Sequence, residues 1–97
     1  MVTQKQSLAD AAMLAIGLEQ LDEALRRPGA TPRAEIAGEF DRLGDLVAAL
    51  PLTTDEYCFA TNWIAGARDC WMAGDRGAAR YQLRMIGRKL ASAAMPS

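Results

Sequence analysis

The residues best suited to binding in this 97-residue chain are basic and lie near its carboxyl end. Four arginines recur at intervals of four residues and a lysine follows them: Arg76, Arg80, Arg84, Arg88 and Lys89. We call the four arginines the arginine ladder. On a helix, each ladder residue is rotated by about 40° from the one before it. Such a row can grip phosphate or an acidic protein surface, and it is also typical of the solvated side of a core helix.

The groups that most enzyme chemistry requires are missing from the sequence. There is no histidine, so no imidazole base or Ser-His pair is available. Cys58 and Cys70 fall within one predicted helix, about 18 Å apart, which is too far for a disulfide or a shared zinc ion. Two carboxylate pairs share helical faces, but solvated helix surface is the more common role of such pairs: Glu35 with Glu39, and Asp41 with Asp45. We therefore expect a protein that is not an enzyme, with no catalytic residue, metal site or cofactor.

Cysteine usage and hydropathy indicate the cellular location that we expect for the protein. Two cysteines that cannot pair are typical of a reduced, cytoplasmic protein. No apolar run approaches the about 20 residues that a membrane span requires. We expect a cytoplasmic protein that does not bind membranes.

Four helices, separated by clear breakers, must position these residues. We predict them at about 7–26, 32–50, 55–73 and 76–92, with breaks at Pro28-Gly29, Pro51 and Gly74. Thr31 is the expected N-cap of the second helix, with Pro32 at its first position. Either Thr53 or Thr54 is expected to cap the third helix, and Asp75 the fourth.

Apolar residues recur at helical spacing in all four segments. The first three stripes are Ala11, Leu14, Leu18, Leu21 and Leu25; Ile36, Phe40, Leu43, Val47 and Leu50; and Phe59, Ala60, Trp63, Ile64, Ala67, Cys70 and Trp71. The fourth is Ala79, Leu83, Ile86 and Leu90. The third stripe covers about half the helix circumference, so we expect this helix to be the central element.

The chain length and the short connections define the architecture that we expect. Residues 1–97 suffice for one domain, and no segment shows the alternation of a strand. We predict an all-α fold in which four helices form two antiparallel hairpins, arranged either as a four-helix bundle or as stacked helical hairpins.

The segment 60–93 resembles one tetratricopeptide repeat. The residues that match are Trp63, Ala67, Gly74-Asp75, Ala79 and Leu83. The departures are Gly66, Cys70, Arg76 and Ala91, where the family has Leu, an aromatic residue, Tyr and Pro. The resemblance covers about a third of the chain and residues 7–50 do not repeat it, so it implies only a tight helical hairpin.

Charge is divided unevenly between the two halves of the chain. Residues 1–56 contain ten acidic and five basic residues, net −5, whereas residues 57–97 contain two acidic and six basic residues, net +4. This asymmetry indicates either a basic binding face or two halves that attract each other within one fold.

The fourth predicted helix (76–92, here α4) carries a second apolar strip outside its core stripe. Ala78, Tyr81 and Met85 lie away from the core stripe and are edged by Arg84, Arg88 and Lys89. We call Ala78, Tyr81, Met85, Arg84 and Arg88 the α4 strip. The first helix likewise has apolar residues off its stripe, at Leu8, Met13 and Ile16.

Three hypotheses account for these surplus apolar residues. In the first, the α4 strip is a protein interface, because Tyr, Met and Arg are enriched in such patches. The protein is then a small interaction module of the adaptor, chaperone or inhibitor type, binding another protein or itself as a homodimer through Tyr81, Arg84, Met85 and Arg88. Arg80 and Lys89 would add contacts to phosphate or an acidic partner.

The other two hypotheses assign different roles to the same residues. In the second, the ladder binds nucleic acid, with arginines on phosphates and Tyr81 stacking on a base. The pI near 5.3 argues against it. In the third, the surplus apolar residues are buried in a compact core and the arginines are solvated. We favour the first and keep nucleic-acid binding as the alternative.

Overall fold

Four helices make up the part of the chain that the structure describes. The computed structural model describes residues 4–27 and 29–94, and the side chains of 11–27 and 29–90. The helices are α1 (Gln4–Arg26), α2 (Arg33–Ala49), α3 (Thr54–Met72) and α4 (Arg76–Ala94), and the described residues contain no strand. The all-α prediction is confirmed. No helix in this part of the chain has the length and apolar character needed to cross a bilayer.

Each helix packs against two neighbours. Consecutive helices contact each other, α1 contacts α4, and the diagonal pairs make no close backbone approach within the described residues. The four helices therefore form a ring, which is consistent with a bundle, about 40 × 21 × 19 Å in extent. The expectation that α3 is central is wrong, because α3 contacts α2 and α4 but not α1. Its wide apolar face serves two neighbours and ends in half-exposed residues.

The core is built from the predicted stripes. Sixteen hydrophobic residues are buried, and no polar or charged residue is buried with them in the described part: Leu14, Leu18, Leu21, Leu25, Ile36, Phe40, Leu43, Val47, Ala60, Ile64, Ala67, Trp71, Ala79, Leu83, Ile86 and Leu90. The predicted members that stay half-buried lie at the margins of the stripes: Ala11, Leu50, Phe59, Trp63 and Cys70.

The helix pair with the most extensive backbone contact is α3 with α4, and small residues allow it. Ala67 and Ala79 are fully buried, and Gly66 lies directly against the side-chain amide of Gln82. That amide donates a hydrogen bond to the Cys70 sulfur at 3.3 Å. The α2–α3 contact uses larger groups, with the rings of Phe40 and Trp71 5.6 Å apart.

The turns around α3 are fixed by local hydrogen bonds. Thr53, one of the two expected caps, forms a capping box: its hydroxyl accepts from the Glu56 N–H at 3.1 Å and its own N–H donates to the Glu56 carboxylate at 2.8 Å. Gly74, at φ 87°, ends the helix, and the backbone bonds from Gly74 to Trp71 and from Asp75 to Cys70 form a Schellman motif. The Asp75 carboxylate then caps α4 through the N–H of Ala78, as expected.

The start of α2 differs from the prediction. The N-cap is Pro32 rather than Thr31, the helix begins at Arg33, and no side chain caps it. Pro32 has an extended ψ of 144°, and its carbonyl already accepts from the N–H groups of Glu35 and Ile36. The helix therefore starts one residue later than a threonine cap requires.

The capping box predicts a pH dependence of stability. The Thr53 backbone N–H, followed by its hydroxyl, lowers the pKa of Glu56 below 4.5. A carboxylate whose folded pKa is depressed stabilises the fold above the unfolded pKa, and this contribution is lost as pH falls through the folded value. We expect wild type to exceed Glu56→Gln in stability at neutral pH and the difference to vanish in acid. Urea unfolding followed by circular dichroism measures it; Asp55→Asn, outside the box, is the control. A pH-independent difference would contradict this account.

Two helical glycines predict different responses to the same added methyl group. A Cβ at Gly87 would lie 3.8 Å from Leu18 Cδ1, an ordinary contact, so Gly87→Ala should stabilise by about 0.5–1 kcal/mol through helix propensity. A Cβ at Gly17 would lie only 3.1 Å from Leu43 Cδ2, so Gly17→Ala should gain less or destabilise. Urea unfolding of both variants compares them, and equal gains would show that α1 and α2 are less closely packed than described.

Candidate interaction surface on helix α4

From Arg80 to Arg88 the arginine ladder passes from the edge of the core to open solvent, and Arg76 at its start is exposed. The buried face of α4 is formed by Ala79, Leu83, Ile86 and Leu90. The side chain of Arg80 is 25% exposed beside α1, that of Arg84 is 58% exposed, and Arg88 is exposed. The rotation between successive ladder residues therefore gives each arginine a different environment.

One carboxylate of α1 binds the middle of the ladder. Arg80 Nε donates to Asp22 Oδ1 at 2.9 Å, and Arg84 Nε lies 3.8 Å from Asp22 Oδ2. We expected Arg80 to contact a partner or phosphate, but it forms a half-buried ion pair within the fold. Arg84 is only loosely engaged, and no acidic residue among the described side chains forms an ion pair with Arg88.

The apolar part of the α4 strip lies on the surface. Tyr81 is 59% exposed, while Ala78 and Met85 are half-buried. The structure thus brings Tyr81, Met85, Arg84 and Arg88 to one outward face of α4. The hypothesis that the surplus apolar residues are all buried is wrong, because Tyr81 and, on α1, Met13 and Ile16 are exposed. The side chain of Leu8 lies outside the described residues.

Lys89 lies on the opposite flank of α4 from the strip's arginines. Its ammonium nitrogen lies 5.8 Å from the ring centroid of Phe59 on α3, and that ring stacks on Trp63 at 5.3 Å. A cation over an aromatic face is an attractive contact. The structure therefore places Lys89 at the α3–α4 seam, away from Arg84 and Arg88.

The described residues hold no group of three or more potential metal ligands. Cys58 is exposed and Cys70 is half-buried, and both are free thiols.

The Arg68 guanidinium pairs with Asp41 at 3.1 Å across the α2–α3 contact. Together with the Asp22–Arg80 pair, this shows that the acidic and basic halves of the chain do attract each other.

Asp22 is the residue that sequence reasoning missed. It lies four residues before Arg26 and reads as an ordinary helix-surface acid. Its partner is 58 residues away, and only the rotation and pairing of α1 and α4 bring them together. No local sequence signal identifies such a contact.

Comparison of the chain with models of known protein families, with characterised proteins and with solved structures finds no match in any of the three. The likeness of residues 60–93 to a tetratricopeptide repeat therefore remains a similarity of hairpin geometry.

Because Asp22 is half-buried, we expect its ion pair to contribute more to stability than the ion pair of Asp41. Asp22→Asn leaves the Arg80 guanidinium at a 25% exposed site without its charge partner, which should cost about 1 kcal/mol. Asp41→Asn is the matched control, since that pair is 67% exposed at Asp41 and should cost less. Urea unfolding measures both. A larger loss for Asp41→Asn would contradict this account, because the Asp22–Arg80 ion pair would then stabilise the contact between α1 and α4 less than the exposed pair stabilises its own.

Proposed function

We propose that this protein is a non-enzymatic binding module that recognises an acidic, partly apolar surface of another protein through the α4 strip. The observation that supports it best is the exposure of Tyr81, at 59% the most exposed large hydrophobic side chain of the described residues. It stands beside two arginines that the fold leaves weakly paired or unpaired among the described side chains. Tyrosine and arginine are the types that dominate binding energy in protein interfaces.

The strip combines contact area with charge. Tyr81 and Met85 supply apolar surface, and Tyr81 has few rotatable bonds to restrict on binding. Arg84 and Arg88 supply positive charge beside that surface, which increases the rate of encounter with an acidic partner and fixes the orientation of binding. The best partner is therefore a surface on which an apolar pocket is flanked by carboxylates.

We further infer that the helices pair as two antiparallel hairpins, α1–α2 and α3–α4. The connections are short, and side-chain contacts join opposite ends of neighbouring helices: Arg33 at the start of α2 lies over Trp71 at the end of α3, and Lys89 late in α4 lies over Phe59 early in α3. A closed bundle of this kind would hold α4 rigidly and so lower the entropic cost of binding.

Nucleic-acid binding remains the alternative, and the surroundings of the ladder speak against it. The Asp22 carboxylate lies between Arg80 and Arg84, where a phosphate would have to approach. The net charge of −1 gives no general attraction for a polyanion. We also propose a reducing, cytoplasmic location, since Cys58 and Cys70 are both free thiols.

A pair of matched double variants tests the α4 strip. Tyr81→Ala with Arg88→Glu removes the apolar anchor and reverses an adjacent charge; Tyr57→Ala with Arg42→Glu makes the same exchanges at exposed residues on α3 and α2. Both should retain wild-type helicity, because exposed substitutions cost little stability. Affinity capture with each protein, quantified by mass spectrometry, should yield a partner that wild type and the control retain and the strip variant loses at least about tenfold.

The solution mass distinguishes the forms of the proposal. If light scattering shows a wild-type dimer that only the strip variant loses, the partner is a second copy of the chain. If no protein separates the two double variants and neither alters the solution mass, the strip is not an interface. Binding of a DNA duplex at low salt that the strip variant abolishes would replace this proposal with the alternative.

A further inference from the structure

A cleft of about 370 Å³ opens where the end of α1, the α1–α2 connection, the start of α2 and the α3–α4 turn meet. It lies outside the α4 strip. Three arginines from three different segments line it: Arg27, Arg33 and Arg76. No acidic residue is among its lining residues, although Arg27 also pairs with Glu23 outside them. Arginines that converge from separate segments create a site of positive potential.

Of the nearby carboxylates, Glu23 partly neutralises Arg27 and Asp75 is engaged at the start of α4. Glu23 pairs with both Arg26, at 3.7 Å, and Arg27, at 3.2 Å, so one carboxylate faces two guanidinium groups. Asp75 accepts a hydrogen bond from the Ala78 N–H at the start of α4. The positive charge of Arg76 and Arg33 is therefore not neutralised by an ion pair within the described residues.

The backbone adds to the same potential. Helix α2 begins at this cleft, and no side chain caps its first turn. The amino end of a helix carries a partial positive charge, which favours an anion. Thr31, half-buried in the wall, adds a hydroxyl that can donate a hydrogen bond.

The inner wall of the cleft is apolar. Leu25, Ile36 and Trp71 line it, all three nearly fully buried. The guanidinium of Arg33 lies over the Trp71 ring, 4.8 Å from its centroid. The volume falls in the lower part of the range of small-molecule sites, about 300–1,000 Å³. An inorganic anion would leave the apolar wall without contact.

We propose that this cleft binds a small organic anion whose phosphate or carboxylate group is held by Arg27, Arg33 and Arg76, and whose apolar body packs against Leu25, Ile36 and Trp71. Planar guanidinium groups match the oxygens of phosphate and carboxylate in paired hydrogen bonds. Because Arg33 and Arg76 carry charges that no ion pair among the described residues neutralises, a phosphate monoester binds more tightly than a carboxylate of the same body. The proposal is independent of the α4 strip.

Trp71 is the reporter for the test. Trp63→Phe leaves Trp71 as the sole tryptophan, and its fluorescence is recorded during titration with phenyl phosphate, phenylacetate and neutral benzyl alcohol at constant ionic strength. We expect saturable changes with both anions, tighter for phenyl phosphate, and none with benzyl alcohol. In the same background, Arg76→Gln should weaken phenyl phosphate binding about tenfold, since it removes one charge-assisted contact.

Arg88→Gln is the matched control, because it removes an exposed arginine of the same helix outside the cleft. It should leave the affinity for phenyl phosphate unchanged. Circular dichroism verifies that each variant folds. The proposal is overturned if neither anion gives a saturable response, if benzyl alcohol binds as tightly as phenyl phosphate, or if Arg88→Gln weakens binding as much as Arg76→Gln.

Discussion

The contact between α1 and α4 closes the ring of helices, and the surface that the protein offers depends on it. Leu18 and Leu83 are buried, Gly87 lies beside Leu18, and Asp22 binds Arg80 at the edge of the seam. This contact fixes the rotation of α4 about its own axis. With Arg80 turned toward α1, Tyr81 must point outward, because consecutive helical residues are separated by about 100°. The exposed tyrosine is thus a consequence of how the ring closes.

The local features of the fold were predictable because each is encoded by neighbouring residues. All four members of the α4 stripe are buried, the Gly74 turn and the Asp75 cap form as expected, and one of the two candidate threonines caps α3. The failures concern the start of one helix and long-range pairing. Thr31 does not cap α2, because Pro32 has an extended ψ of 144° and lies outside the helix, which begins one residue later at Arg33. The central role expected of α3 fails because the width of an apolar face does not reveal how neighbours share it.

The candidate site was predictable in part, for the same reason. Helical spacing placed Tyr81 and Arg88 away from the core stripe, and both are exposed. The spacing could not show which ladder arginines would form ion pairs within the fold. Arg80 is taken by an acid on α1, and Arg68, outside the ladder, by Asp41 on α2. These pairs join the acidic and basic halves of the chain, so part of its charge asymmetry stabilises the fold.

The geometry of the ladder explains where its remaining arginines lie. Over its three steps the ladder turns by about 120° and rises about 18 Å. Its first member, Arg76, therefore reaches the cleft at the end of the bundle, whereas its last, Arg88, faces solvent beside Tyr81. Arg76 is the one α4 residue that lines the cleft, so the two ends of the helix contribute to separate surfaces. The middle of the ladder separates them, because Asp22 partly neutralises it. One carboxylate on α1 thus interrupts the row of positive charge between the strip that we propose binds a protein and the cleft that we propose binds a small anion.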